Sequence, residues 1–157
     1  MASEIKRVPC PRMTGKERRE QLLDVSRQLF AEKGFDGTSV EEIASRAAVS
    51  KPVVYEHFGG KEGIYAVIVD REVLALTSAL TGALASSEHP KVLLERTALA
   101  LLEYIETSTD GFRILVRDSP VAQATGTFSS LIGDVATQVE YLLADQFTRR
   151  GLDPKVA

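Results

Sequence analysis

Apolar residues recur at three- and four-residue spacing along most of this chain, and no stretch shows the sustained alternation of a half-buried strand. The pattern predicts an all-α fold of about seven helices. Between Lys16 and Lys33, Leu22, Val25 and Leu29 form one row and Leu23, Ser26 and Phe30 the row beside it, with Gly34 as the stop. Residues 1–14, with two prolines and no periodicity, read as an arm. From Lys61 to about Ala85 the rows Ile64, Val67, Ile68 and Val73, Leu74, Leu80, Leu84 predict one long helix, about 37 Å at 1.5 Å per residue. Pro90 to about Thr107 carries Val92, Leu93, Leu94, Leu99, Leu101, Leu102 and Ile105, apolar on more than one face, which predicts a central helix. Asp110–Gly111 predicts a break, and Phe112–Arg117 a short helix or turn before Ser119–Pro120. Phe128, Leu131, Ile132, Val135, Val139, Leu142, Leu143 and Phe147 then give amphipathic spacing up to Arg149–Arg150, with Gly151 as the stop.

Residues 38–61 are the most informative stretch. Thr38 or Ser39 can cap a short helix, because Glu41 and Glu42 stand three residues on, the spacing of a capping box. Val40, Ile43, Ala44 and Ala47 fall on one face of it. Ser50 followed by Lys51–Pro52 restarts a helix, since proline is tolerated in a first turn where its missing N–H has no partner. Val54 and Phe58 give this second helix its buried face and leave Pro52, Val53, Tyr55, Glu56 and His57 on or near the outer faces. About two turns of helix are unstable alone in water, so its neighbours must hold it. Two short helices around a tight turn, the second with a polar outer face, form a helix-turn-helix suited to lie against DNA. Ala48 stands where that turn prefers glycine, and a positive φ there costs a non-glycine residue on the order of 1 kcal/mol.

Thr38, Ile43–Ala44, Val49–Ser50, Tyr55, His57–Phe58 and Lys61–Glu62, preceded by Leu29–Phe30 and Lys33–Gly34–Phe35, resemble the DNA-binding signature of the tetracycline-repressor (TetR) family of bacterial regulators. The resemblance covers roughly residues 16–66 without a gap; beyond that only the helix lengths match. It implies a DNA-binding unit at 1–60 and a helical regulatory unit at 61–157, linked by the long helix. It also implies a homodimer on a palindromic operator of double-stranded DNA, and a small-molecule inducer held between the helices at about 90–150. Family members usually carry two further C-terminal helices that build the dimer interface; the chain stops at Ala157, which reads either as a shortened form or as a dimer built differently.

Composition narrows the class. Hydrophobic content of 44% with 26% charged residues is ordinary for a globular protein. The net charge of −3 argues against a generally basic nucleic-acid coat protein, but the charge is uneven. Residues 1–64 carry 11 basic and 10 acidic side chains; residues 65–157 carry 8 and 12. Lys6, Arg7, Arg12, Lys16, Arg18 and Arg19 crowd the N-terminal end, as a DNA-facing end requires, although a solvated tail reads the same way. A single cysteine, Cys10, rules out an intrachain disulfide and suits a reducing cytoplasm. No run is apolar for the roughly 18 residues of a membrane span, and the basic N-terminus lacks the apolar stretch of a signal peptide.

DNA affinity comes mainly from phosphate neutralisation and specificity from base edges. Lys51 can reach a guanine or a phosphate, and the resemblance places it on the reading surface. Tyr55 and His57 match family positions that contact phosphates, with packing against the first short helix as the competing reading. Lys61 adds its charge to the exposed N–H groups at the start of the long helix. Thr38 and Ser39 can cap and also donate to phosphate, Ser50 is a DNA-binding candidate at the cap of the second short helix, and Pro52 and Val53 offer only apolar contact, for example to a thymine methyl. Tyr104, Phe112, Phe128 and Tyr141 are candidate pocket residues, though aromatics on apolar faces are usually core. Catalysis is not expected, and neither a metal nor another cofactor. His57 and His89 are far apart, no metal-ligand spacing occurs, and Gly59–Gly60–Lys61 lacks the remaining features of a phosphate loop. The competing reading is a helical protein-interaction module whose DNA-binding unit is vestigial.

Overall fold

The computed structural model describes residues 13–84 and 89–117, and single positions at 133, 136, 137, 140, 141, 144, 145, 148 and 151. The described residues form six helices: α1 (Gly15–Lys33), α2 (Val40–Arg46), α3 (Lys51–Phe58), α4 (Lys61–Leu84), α5 (Pro90–Thr107) and α6 (Thr109–Val116). They contain no strand, and the fold is all-α. The single positions from 133 to 148 are helical. Residues 1–12 of the N-terminal arm lie outside the described residues, and Thr14, counted in the arm by the spacing, caps α1.

α1 begins one residue before the spacing predicts, at a capping box. The Thr14 hydroxyl accepts from the Glu17 N–H at 3.2 Å, and the Glu17 carboxylate accepts from the Thr14 N–H at 2.7 Å. Leu22, Leu23, Ser26, Leu29 and Phe30 are buried, the two rows read from the spacing. Phe30 meets the Tyr65 ring edge-on at 5.1 Å, and Phe35 meets it at 5.0 Å, which fastens the end of α1 to α4. One core cluster draws residues from all six helices. Burying each large member of it contributes about 1.5–3 kcal/mol.

α5 returns along α4, so that Tyr104 lies against Glu72, and α6 packs on α1 and α4. Three details differ from the spacing. The break falls at Ser108 and not at Asp110–Gly111, which lie inside α6. Gly111 serves packing there: a Cβ would sit 2.0 Å from the Glu72 Oε2. Leu74 is 67% exposed, and α4 instead buries Tyr65, Val69 and Leu76. α5 buries Leu93 and Tyr104 but exposes Leu94, Leu99 and Leu102, so it is not enclosed on all sides.

Candidate nucleic-acid interface

The segment after α1 turns on two polar residues with separate tasks. Ser39 caps α2, its hydroxyl accepting from the Glu42 N–H at 3.2 Å. Thr38 is buried and donates inward to the Gly34 carbonyl at 2.8 Å, which closes the loop and leaves its hydroxyl facing away from solvent. α2 buries Val40, Ile43 and Ala44, and Ala47 is fully buried at its end.

Between α2 and α3 the chain makes a complete Schellman motif. The Val49 N–H reaches back to the Ala44 carbonyl at 2.9 Å and the Ala48 N–H to the Ser45 carbonyl at 3.1 Å. That motif requires a left-handed residue, and Ala48 takes it with φ 52°. Ser50 occupies the N-cap position of α3, yet its exposed side chain makes no capping hydrogen bond. α3 ends at Gly59, left-handed at φ 74°. Gly63, in the first turn of α4, permits the close approach of the two helices, since a Cβ there would lie 1.9 Å from the Phe58 carbonyl oxygen.

α3 is held from within. Val54 is fully buried and Phe58 half-buried. Arg19 of α1 donates to the His57 carbonyl at 2.8 Å and lies 4.2 Å above the Phe58 ring. A guanidinium at a helix C-terminus satisfies a free carbonyl and complements the dipole. The spacing gave Arg19 no role beyond the basic tail, because a contact across 38 residues leaves no local trace.

The outer face of α3 presents Lys51, Pro52, Tyr55 and Glu56 to solvent, with Val53 and His57 half-buried. The Tyr55 ring lies against Gly60, beside the N-terminus of α4. Lys51 is ion-paired with Glu41 of α2. The hydrogen bond from Lys51 holds the Glu41 carboxyl below its ordinary range. Lys33 pairs with Glu42 and Arg46 with Glu32 on the same unit, so several of its cations have acidic partners. Lys61 turns its ammonium to the Phe35 and Thr38 carbonyls, each at 3.1 Å, and over the Phe35 ring at 4.4 Å.

Ser39, Ser50, Lys51, Pro52, Tyr55 and, partly, Val53, His57 and Lys61 are thus brought to one unit with accessible surface, whereas Thr38 is inside it. The candidate pocket residues separate. Tyr104 is buried and donates to Glu72, and burial, reinforced by that carboxylate, raises its hydroxyl well above the phenol range. Phe112 packs on the core, Tyr141 is 71% exposed, and Phe128 lies outside the described residues. Among the described residues no group of three or more His, Cys, Asp or Glu could hold a metal ion. No described helix is long and apolar enough to cross a membrane.

The family model "Bacterial regulatory proteins, tetR family" matches residues 22–68, from the buried face of α1 into α4. The chain is 33% identical over 112 residues to the HTH-type transcriptional activator FasR of Mycolicibacterium smegmatis, covering 71% of this chain and 51% of that protein. It spans about half or less of the length of such curated relatives. A TetR-like transcriptional regulator from Rhodococcus sp. RHA1 superposes with a TM-score of 0.77 at 26% identity, over 88% of this chain and 76% of that one. A transcriptional regulator of Aquifex aeolicus VF5 matches with a TM-score of 0.65 at 31% identity, over 85% and 75%. The reading unit, the helical frame behind it and these likenesses agree: the chain belongs to the TetR family of helix-turn-helix transcriptional regulators.

Proposed function

We propose that this chain regulates transcription by laying α3 in the major groove of a palindromic operator, as a homodimer in the cytoplasm. The observation that carries the reading is the contrast between the two faces of α3. Val54 and Arg19 fix its inner side, while Lys51, Pro52 and Tyr55 stand exposed on its outer side beside the start of α4. A rigidly held helix with a polar outer face is what base readout needs. Lys51 reads a base or holds a phosphate; Tyr55, His57, Ser39 and Ser50 donate to the backbone. Lys61 adds charge and its remaining N–H at the start of α4.

Repression is the sign we assign, on the resemblance to the tetracycline-repressor family alone; the relative FasR is named an activator. Regulation by a small molecule in 61–157 fits α4, which runs from the reading unit into the α5–α6 pair. A ligand that lowers operator affinity 100-fold must prefer the non-binding conformation by about 2.7 kcal/mol. The test is selection of bound duplexes from a random library, followed by footprinting. Enrichment of an inverted repeat with half-sites about 34 Å apart supports the reading. No enrichment over unselected DNA overturns it.

A further inference from the structure

A buried carboxylate joins four helices. Glu72, in the middle of α4, is 7% exposed. Its Oε2 accepts from the Tyr104 hydroxyl of α5 at 2.8 Å, and its Oε1 faces the Arg27 Nη1 of α1 at 3.4 Å. Gly111 of α6 lies so close that a Cβ would meet both carboxylate oxygens, at 2.0 and 2.8 Å. No movement of α5 or α6 toward or away from α4 leaves this arrangement intact. A buried carboxylate that loses its buried Tyr104 partner must find another or reposition. On the far side, Arg27 shares α1 with Arg19, eight residues earlier and about 12 Å along the axis, whose guanidinium holds the C-terminus of α3. Arg117 adds a second tie at the end of α6, donating to the Ala31 carbonyl at 3.0 Å and the Phe30 carbonyl at 3.3 Å.

We propose that Glu72 is a positioning residue which couples α5 and α6 to the reading helix. Tyr104 and Gly111 set where its carboxylate sits, the carboxylate sets Arg27, and α1 carries that setting to Arg19 and the α3 carbonyl. The proposal rests on the DNA-binding reading above and names the residue through which the state of the helical unit reaches α3. Tyr104, a candidate pocket residue on sequence grounds, then acts as the sensor arm of the junction.

The test is amide hydrogen exchange of the full chain with and without a saturating duplex that the wild-type protein has selected from a random library. In the wild type, duplex slows exchange across residues 90–116 at least about threefold. In Tyr104→Phe, which keeps the ring and removes only the hydroxyl, and in Glu72→Gln, the slowing stops at α4. Leu115→Val, a core change in α6 that leaves Glu72, Tyr104 and Arg27 unchanged, retains it. If Glu72→Gln fails to fold, Tyr104→Phe decides alone. Slowing that persists in the bound Tyr104→Phe variant, that vanishes in Leu115→Val as well, or that never reaches α5 and α6 in the bound wild type overturns the coupling and leaves DNA binding standing. Failure of the wild type to select any duplex overturns the DNA-binding reading, and the coupling with it.

Discussion

Lys51, at the first position of α3, is ion-paired with Glu41 in the first turn of α2, across the turn that Ala48 makes. The foremost cation of the proposed reading face is therefore already matched by a carboxylate on the same unit. On the proposed function, DNA must compete for it.

Glu41→Gln removes that competition and one negative charge close to the phosphates. Affinity for duplex DNA of any sequence should rise, and the dependence of log affinity on log salt should steepen by about one, the increment for one further ionic contact. Fluorescence anisotropy across a salt series measures it. An unchanged slope would mean that Lys51 gains no phosphate contact once Glu41 is neutralised.

Lys51→Ala and Tyr55→Phe should differ in kind. If Lys51 addresses a base, its loss relaxes preference at one operator position at a cost of about 1–3 kcal/mol. Loss of the Tyr55 hydroxyl should weaken binding without changing preference, because a phosphate contact carries no base information. Equal weakening on cognate and random duplexes by Lys51→Ala would assign that residue to the backbone.

On the proposed function Lys61 has two roles. Its ammonium holds the Phe35 and Thr38 carbonyls, so Lys61→Ala should lower the unfolding free energy by about 1–3 kcal/mol, read from urea denaturation. The salt slope should also become shallower by about one. A changed slope with unchanged stability would leave Lys61 to DNA alone, and the reverse would leave it to the loop.

Ala48→Gly should stabilise the free protein by roughly 0.5–1 kcal/mol. The left-handed strain at φ 52° exceeds the entropy that glycine loses on folding. A midpoint lowered by the glycine would show that the turn carries no strain.

What was legible in the sequence was what depends on short spacing. The buried rows of α1, the α2 face of Val40, Ile43 and Ala44, and the limits of α5 all follow from local periodicity. Gly111 misled because glycine marks a stop by its backbone freedom, whereas here it makes room for Glu72. Glu72 carries no local signal of its burial, since its partners Arg27 and Tyr104 are 45 and 32 residues away. Within the candidate site, the exposed Tyr55 was readable from the helical face it occupies, and Lys51 from the resemblance alone. The clamp by Arg19, the pairing of Lys51 with Glu41 and the inward turn of Thr38 were not, because each depends on how α1, α2 and α3 pack.

The central claim is that α3 reads DNA. Its most direct test is the affinity of the chain for a duplex it has selected, compared with the same duplex scrambled, at several salt concentrations. Specific recognition predicts a preference of about 10³-fold or more for the selected duplex, with both affinities falling steeply as salt rises. Equal affinity for the two duplexes at every salt concentration would contradict it.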